Sequence, residues 1–176
     1  MSTITTFTGK AFDPVNPEAE LIDIADIAHA LSMLCRANGH VRQFYTVGQH
    51  SIACCLEAKA RKYSKRVQLA CLLHDASEAY LSDITRPIKP MLKEYLALED
   101  KLQTVIWNVF LGEPLTEEEI KQVFEIDDDM LSYEFLKLMP KNLSDRHENL
   151  VNKPTLEVES PSDVEQKLIA LAKELR

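Results

Sequence analysis

Apolar positions recur at helical spacing along most of the chain. Beyond residue 20, segments with apolar residues three and four positions apart follow one another, and helix-capping signals separate them. Two of these signals are strong, because Thr46 with Gln49 and Thr116 with Glu119 have the spacing of a capping box. We therefore predict about six helices, over approximately residues 23–36, 46–62, 64–79, 91–111, 116–139 and from 160 onward.

The first twenty residues follow a different pattern. Short alternating runs flank Gly9, which favours a small hairpin or an ordered arm. Two prolines predict a loop over 81–90, and the segment 141–159 is predicted to be irregular. We find no internal repeat and no domain-sized linker. The sequence thus predicts an all-α, single-domain helical bundle over residues 21–176, preceded by an N-terminal arm over residues 1–20.

The composition is that of a globular protein, with 45% hydrophobic and 27% charged residues among 176. None of the cysteines has C-x-x-C spacing, which favours buried thiols in a reducing cytoplasm. They are Cys35, Cys54, Cys55 and Cys71. No apolar run is long enough for a membrane span, and the N-terminus lacks a signal-peptide pattern. We expect a cytoplasmic protein with no membrane partner.

The net charge of −8 argues against one class of partner. Nucleic-acid polymers are bound by clustered lysine and arginine, and the chain has no such stripe. A nucleic-acid polymer is therefore not expected as a partner. A small phosphorylated molecule, held through a metal ion, remains compatible with the charge.

Candidate chemistry begins at a histidine on a predicted helix face. Val67, Ala70 and Cys71 lie at positions i, i+3 and i+4 of a predicted apolar helix face. His74 lies at i+7 on the same face and should therefore point inward. A lone histidine on an apolar face is usually a satisfied core residue. Here Asp75 follows directly, and Glu78 and Asp83 come soon after. Three carboxylates beside one inward histidine need a cation or several hydrogen-bond donors.

An acidic triplet at 127–129 supplies a further carboxylate. Helical phase selects Asp127, because it shares the phase of the predicted apolar stripe, as does Glu134 seven residues later. The stripe consists of Ile120, Val123, Phe124, Met130, Leu131 and Leu138. A register shift of one residue would favour Asp128 instead. An unpaired buried carboxylate is costly, so a compensating cation is expected beside it.

These positions combine into one predicted metal site. His50 falls in the first turn of its predicted helix, near the inward face, and a neutral imidazole binds metal through one nitrogen. We predict that one divalent ion is bound by His50, His74, Asp75 and Asp127. This donor set is compatible with Co, Mn, Ni, Zn, Fe or Mg, and the sequence does not select among them.

The order of these residues resembles a known family. His50, then His74 with Asp75, then Asp127, is similar to the H…HD…D signature of the HD-domain metal-dependent phosphohydrolase superfamily. The string H-D-A-S-E at 74–78 resembles the bacterial 5′-deoxynucleotidase branch and its relatives that act on nucleoside triphosphates. Further matched features are Asp83, Pro87, Lys89 and the segments 28–36 and 44–51, so that the resemblance covers roughly residues 20–138.

The resemblance implies a role for each matched residue. The four predicted ligands would bind the ion, while Glu78 and Asp83 would orient water or protonate the leaving oxygen. Arg36 would contact the substrate phosphate, and Lys89 would add a positive charge on the loop. Helix-end charge pairing for Arg36 and ordinary solvation for Lys89 are the alternatives. One residue departs from the pattern, because the deoxynucleotidases carry a sugar-selecting tryptophan where this chain has Ala37.

The leading hypothesis is a metal-dependent phosphohydrolase that removes phosphate from nucleoside or deoxynucleoside 5′-monophosphates. One alternative is a triphosphate hydrolase that releases triphosphate or trims phosphates stepwise. A substrate with more phosphates would need more basic residues near the metal; the candidates are Arg36, Arg42, Lys65, Arg86 and Lys89. A nucleotide-binding regulatory module without turnover, and a purely structural bundle, are alternatives of other classes. Related proteins are often dimers, which leaves a homodimer open.

Overall fold

A computed structural model describes residues 3–141 and 149–176 of the chain. Within these ranges the protein is a mostly helical single domain with one two-stranded sheet, which confirms the predicted all-α class. Of the segment predicted to be irregular, residues 142–148, including His147, lie outside the described residues. The rest of that segment, residues 149–159, contains neither helix nor strand.

The N-terminal arm is a hairpin, as predicted. Strand β1 (Ile4–Thr5) pairs antiparallel with β2 (Ala11–Phe12), and Gly9 turns the chain with a φ of 84°. Thr8 fixes this turn to the helical bundle, because its amide and hydroxyl donate to the carboxylate of Asp26 at 2.7 and 2.9 Å.

Seven α-helices follow among the described residues, and short 3₁₀ turns connect some of them. The helices are α1 (Ile24–Met33), α2 (Val47–Ala60), α3 (Lys65–Leu72), α4 (Glu78–Leu81), α5 (Lys93–Leu111), α6 (Glu117–Leu138) and α7 (Pro161–Leu175). Helix α1 packs on α7 and α2, while α2 also packs on α3 and α6. The main core lies where α1, α2, α3, α5 and α7 meet, and a second core lies between α2, α3 and α6.

Both predicted capping boxes are present. At the start of α2, the Thr46 hydroxyl accepts from the Gln49 amide at 3.0 Å, and the Gln49 side chain accepts from the Thr46 amide at 3.1 Å. Thr116 and Glu119 repeat the arrangement at the start of α6. These reciprocal bonds satisfy amides that the first helical turn leaves without partners. They fix the starts of the two helices that carry His50 and Asp127.

Helix α1 ends three residues earlier than the sequence predicted. The chain leaves the helix at Leu34, Cys35 pairs with Thr46 in an isolated bridge, and the amide of Arg36 donates to the carbonyl of Tyr45 at 2.9 Å. Arg36 therefore does not lie in a last helical turn, and helix-end charge pairing does not explain it. The following residues 37–38 have positive φ, which turns the chain sharply away.

A larger difference is the break between α3 and α4, where the sequence predicted one continuous helix to about residue 79. In an unbroken helix the amide of Ser77 would donate to the carbonyl of Leu73. Instead, the Gln103 side chain accepts from the Ser77 amide at 3.1 Å and donates to the Leu73 carbonyl at 2.7 Å. The side-chain amide of Gln103, which lies on α5, thus replaces the helical hydrogen bond between Ser77 and Leu73. His74 and Asp75 consequently lie in a turn.

The apolar stripe predicted for α6 is partly wrong. Val123, Met130 and Leu138 are buried as predicted, whereas Phe124 is 54% exposed. Ile126, which was not assigned to the stripe, is fully buried. The inward face is therefore rotated slightly from the predicted one. Among the described residues, no helix is both long and apolar enough to cross a membrane.

Candidate metal centre

His50 and His74 present their Nε2 atoms to the same small space. Nδ1 of His50, in the first turn of α2, lies 2.9 Å from Oε1 of Glu134. Nδ1 of His74, in the turn after α3, lies 2.7 Å from the carbonyl oxygen of Cys71. Ionised carboxylate and carbonyl oxygens only accept hydrogen bonds, so both Nδ1 atoms carry the hydrogen. In the neutral imidazoles, both Nε2 atoms therefore keep an unshared electron pair.

Two carboxylates face these Nε2 atoms. Oδ1 of Asp127 lies 3.1 Å from Nε2 of His50 and 3.6 Å from Nε2 of His74. Oδ2 of Asp75 lies 3.3 Å from Nε2 of His74 and 3.8 Å from Nε2 of His50. We call His50, His74, Asp75 and Asp127 the histidine–aspartate cluster. The structure thus brings together the four residues that the sequence predicted as metal ligands.

In the histidine–aspartate cluster, with neutral imidazoles, hydrogen-bond acceptors face one another, namely the two Nε2 atoms and the carboxylate oxygens of Asp75 and Asp127. Its two Nε2 atoms are 3.2 Å apart, and the His50 and His74 side chains are 0% and 5% exposed. Burial lowers the pKa of each imidazole, but the neighbouring carboxylates outweigh burial and raise both pKa values above their ordinary value. The cluster therefore attracts positive charge, which protons or a divalent cation can supply. Imidazole nitrogens with carboxylate oxygens fit such a cation.

A thiol lies beside this cluster. Single donor atoms of His50, Cys54 and His74 all lie within 4.8 Å of one another, so these three residues could also hold a metal ion. Sγ of Cys54 is 3.6 Å from Nε2 of His50 and 4.0 Å from its Nδ1. Burial raises the pKa of this thiol, and the charges of Asp127 and Glu134 raise it further. From the sequence, Cys54 was expected only to be a buried thiol.

Arg36 is buried behind the cluster. Its Nη2 lies 3.4 Å from Oε2 of Glu134, and its Nη1 lies 3.5 Å from Oδ2 of Asp75. Both contacts are long for ion pairs with arginine. Its Nε is buried and has no hydrogen-bond partner among the described residues. The guanidinium group thus retains capacity to donate to an anion.

The predicted catalytic carboxylates, Glu78 and Asp83, line a cavity beside the histidine–aspartate cluster. Glu78, the first residue of α4, is buried, and its Oε2 has no partner among the described residues. Burial raises the pKa of Glu78 well above its ordinary value, and the charges of Asp75 and Asp83 add to this effect. Burial also raises the pKa of Asp83, against the opposing charge of Arg36. Both groups are therefore biased towards their protonated forms.

Lys89 is tied to a carboxylate on α5 rather than simply solvated. Its Nζ lies 2.8 Å from Oε1 of Glu99. The hydroxyl of Tyr95 contacts the same oxygen at 3.2 Å and donates to the carbonyl of Ser82 at 2.8 Å. This network connects α5 to the residue before Asp83. Lys89 lines the cavity, and its predicted contact with substrate stays a prediction.

A cavity of about 980 Å³ opens beside the cluster. Its charged wall includes Arg36, Asp75, Glu78, Asp83 and Asp127. Apolar side chains from α5, α6 and the segments next to them form another part of the wall; they include Leu96, Trp107, Phe124, Leu131, Phe135 and Met139. A polar centre next to an apolar wall is typical of small-molecule sites. Phe124 thus lines a cavity instead of the core.

Three residues near the site were not assigned to it from the sequence. Glu134 was predicted to point inward, but its bond to His50 was not. Gln103, which holds the turn at His74, gave no signal, because its partners come from a distant part of the chain. Arg86 was only one of several basic candidates, yet its Nη2 lies 2.8 Å from Oδ2 of Asp127.

Comparison with known proteins gives relatives but no function. No protein-family model matches the chain. The chain is 40% identical to the uncharacterized protein YfdR of Escherichia coli over 108 residues, which are 60% of this chain and 57% of that protein. It is 36% identical to an uncharacterized protein of Rhodobacter capsulatus over 104 residues, 56% of this chain and 53% of the other. The chain therefore spans about half the length of the curated relatives it matches.

Proposed function

We propose that this protein is an HD-domain, metal-dependent phosphohydrolase that removes phosphate from nucleoside or deoxynucleoside 5′-monophosphates. The observation that carries the proposal is the histidine–aspartate cluster, whose buried acceptors face one another next to a cavity with an incompletely paired arginine. Its donors occur in the order of the HD-domain signature. The fold and the cluster are compatible with this proposal, and the substrate is an inference from the chemistry of the cavity.

The proposed ligands of one divalent ion are His50, His74, Asp75 and Asp127. Cys54 is a poorer candidate, because its sulfur is almost equally distant from both ring nitrogens of His50. A sulfur that shared a metal ion with Nε2 would lie in front of Nε2, on the side away from the ring, and therefore clearly farther from Nδ1. A bound ion would polarise the phosphoryl group and make a nearby water more acidic. The protein itself orients both imidazoles through Glu134 and the Cys71 carbonyl.

The other residues of the cavity wall would handle the phosphate and the protons. Arg36 would donate to phosphate oxygens, because its Nε has no partner among the described residues and a guanidinium binds phosphate in a two-pronged manner. Water would attack phosphorus, and the bond between phosphorus and the sugar oxygen would break. The leaving oxygen then needs a proton, which buried Glu78 would donate. Asp83 would orient the attacking water, and the proton that this water releases would restore the carboxyl group of Glu78.

The charge of the cavity favours a monophosphate over a triphosphate. Seven carboxylates line it, namely Asp75, Glu78, Asp83, Glu99, Asp100, Asp127 and Asp128. Three cations oppose them, namely Arg36, Arg86 and Lys89. Of these cations, Arg86 already pairs with Asp127, and Lys89 with Glu99. With Glu78 protonated, as the proposed mechanism requires, and one divalent ion added, the charges of the wall nearly cancel, so the wall offers no positive excess for a highly charged phosphate chain. The apolar wall suits a nucleobase.

A substrate panel with product identification tests the proposal. Protein stripped of metal is reloaded separately with Mn, Co, Ni, Zn, Fe or Mg and offered ribo- and deoxyribonucleoside mono-, di- and triphosphates. We expect release of inorganic phosphate from 5′-monophosphates. Release of triphosphate or of single phosphates from triphosphates would favour the triphosphate hydrolase instead. If no nucleotide is cleaved with any metal but nucleotides bind, a regulatory module replaces the enzyme.

Changing Glu78 separates catalysis from binding. We expect Glu78→Gln to lower turnover by about 10²- to 10⁴-fold, the usual contribution of a general acid or base, because the amide cannot donate a proton to the leaving oxygen. Metal affinity, measured by chelator competition, should stay at the parent value. Equal turnover in both proteins would remove Glu78 from the catalytic role, and joint loss of turnover and metal would make it a ligand.

A further inference from the structure

Glu134 lies between the proposed metal ligands and the proposed phosphate-binding arginine. It projects from α6 and is only 1% exposed. Its Oε1 accepts from Nδ1 of His50 at 2.9 Å, and its Oε2 faces Nη2 of Arg36 at 3.4 Å. The two oxygens of this carboxylate thus face His50 and Arg36, and the hydroxyl of Tyr45 is a further neighbour of Glu134. Nε2 of His50 faces the histidine–aspartate cluster, and Nη1 of Arg36 lies 3.5 Å from Oδ2 of Asp75 in that cluster.

The bond to His50 determines which ring nitrogen is available to a metal. Because Oε1 can only accept, Nδ1 carries the hydrogen and Nε2 has its electron pair directed at His74 and Asp127. A carboxylate behind a metal-binding histidine also makes the imidazole a stronger ligand. Without an acceptor at this position, the opposite tautomer would place a hydrogen on Nε2, where the metal must bind.

The contact with Arg36 determines where the guanidinium points. Arg36 is buried, with its carboxylate neighbours Glu134 and Asp75 on Nη2 and Nη1. An arginine side chain has many rotamers, and confining it in advance lowers the cost of binding an anion. Removing one of the two neighbours would leave the guanidinium free to move towards the other.

A glutamine cannot replace Glu134 in both contacts. If its oxygen accepts from His50, its NH₂ group faces Nη2 of Arg36, donor against donor. If the amide is reversed, its NH₂ group faces Nδ1 of His50, which must then become an acceptor, and the hydrogen moves to Nε2. Only a carboxylate offers an acceptor to each partner. The position of Glu134 therefore requires a carboxylate and not only a side chain of the same volume.

We propose that Glu134 is a positioning residue that holds His50 for the metal and Arg36 for the phosphate at the same time. This inference rests on the metal and phosphate sites of the proposed function. It assigns Glu134 no contact with substrate. It predicts that one substitution weakens two different binding reactions, of a metal cation and of an anion.

The test uses the full chain and two probes, Co²⁺ alone and inorganic phosphate. Co²⁺ affinity is measured by chelator competition, and phosphate affinity by calorimetry with every variant saturated in Co²⁺. We expect Glu134→Gln to weaken Co²⁺ binding about 10- to 100-fold, the usual effect of losing a partner behind a metal-binding histidine. We expect it to weaken phosphate binding about 10-fold, as for loss of one charged hydrogen bond.

Glu57 provides a matched control. It is also fully buried and lies on α2, and its partners are Arg61 and the backbone amides of Val151 and Asn152, none of which lines the cavity. Glu57→Gln should lower stability while both affinities stay at the parent values. If Glu57→Gln weakens Co²⁺ or phosphate binding as much as Glu134→Gln does, the effect is one of general destabilisation and the inference is wrong.

The Arg36 contact is isolated by combining substitutions. In an Arg36→Ala background, adding Glu134→Gln should change phosphate affinity less than about two-fold while still weakening Co²⁺ binding. If Arg36→Ala does not fold, Arg36→Lys provides the background, because a lysine cannot reproduce the two-pronged contact. A full Glu134→Gln effect on phosphate without Arg36 would contradict the inference.

These measurements distinguish failure of the inference from failure of the proposed function. A parent protein that binds neither Co²⁺ nor phosphate would overturn both. A parent that binds them, with Glu134→Gln unchanged, would overturn the inference alone. A parent and variant that differ as expected, but without cleavage of any nucleotide, would retain the inference and overturn the phosphohydrolase.

Discussion

Two ionic clusters, each containing a fully buried side chain of helix α2, differ in how their acceptors are paired. In the first, which we call the Glu57 cluster, Glu57 accepts from Arg61 at 2.6 Å and from the amides of Val151 and Asn152 at 3.0 and 2.6 Å. Arg61 also donates to Asp129 at 2.7 Å. Each of these carboxylates faces donors. This cluster joins α2 to α6 and to the segment that follows residue 148.

The histidine–aspartate cluster lacks that complementarity. When its imidazoles are neutral, their lone pairs and the carboxylate oxygens converge, and the neighbouring arginines contact only the carboxylates, Arg86 at Asp127 and Arg36 at Asp75. A fully satisfied polar cluster stabilises a fold, whereas acceptors that face acceptors are costly unless positive charge enters. Burial and charge alone do not distinguish the two clusters. The mismatch between donors and acceptors makes the histidine–aspartate cluster the candidate functional site.

The acidic triplet contributes to both clusters. Asp127 faces His50, Asp128 pairs with Arg86 at 2.7 Å, and Asp129 pairs with Arg61. Three identical neighbours therefore have three different environments, because successive residues on a helix are about 100° apart around its axis. The triplet offers matched substitutions in which only the environment changes.

The largest expected effect is on the stability of the Glu57 cluster. Glu57→Ala should lower the free energy of unfolding by about 3–5 kcal/mol, because Nε of Arg61 and two backbone amides lose their acceptor, although Arg61 keeps Asp129. His74→Ala in metal-free protein should cost less, because it removes one of the facing acceptors. Urea denaturation with a chelator present measures both. If His74→Ala lowers the free energy of unfolding more than Glu57→Ala does, the expected difference between the two clusters is wrong.

The next effect concerns metal binding by neighbouring aspartates. Asp127→Asn should weaken Co²⁺ binding by more than about 100-fold, since loss of a direct ligand exceeds the usual effect of a residue behind it. Asp129→Asn should keep the parent affinity and lose stability instead. Chelator competition and urea denaturation on both variants give the answer. Equal metal affinity in parent and Asp127→Asn would exclude the proposed site.

The smallest effect is expected at Cys54. Cys54→Ala should leave Co²⁺ affinity unchanged and lower stability by about 1 kcal/mol, as for deletion of one buried atom. The Co²⁺-loaded parent should show no thiolate-to-cobalt charge-transfer band in the near ultraviolet. A band that disappears in Cys54→Ala would instead support a donor set of His50, Cys54 and His74.

Local signals predicted much of the fold. The two capping boxes, the hairpin at Gly9 and the end of α5 at Gly112 depend on residues close together in the sequence, and the structure confirms them. Phase along α6 was sufficient to prefer Asp127 over Asp128. The same argument misplaced Phe124, because an apolar residue lining a cavity has the same pattern as one in the core.

Long-range contacts explain what was missed. The end of α1 is set by pairing of Cys35 with Thr46, and the break after α3 is set by Gln103. Neither site carries a local stop signal such as glycine or proline. The partner that competes with the helical hydrogen bond lies 26 residues or more away for Ser77 and Leu73. Helical periodicity contains no information about such a partner.

The helical class, the starts of most helices and the types of residue available to bind a metal follow from the amino-acid sequence alone. Three features depend on contacts in the folded protein: His74 leaves its helix to meet His50, Arg36 lies behind the cluster, and Glu134 contacts both His50 and Arg36. The physical reason is that propensity and capping act over one helical turn. The pairing of donors with acceptors in a buried site depends on groups from α2, α6 and the turns between helices meeting in space.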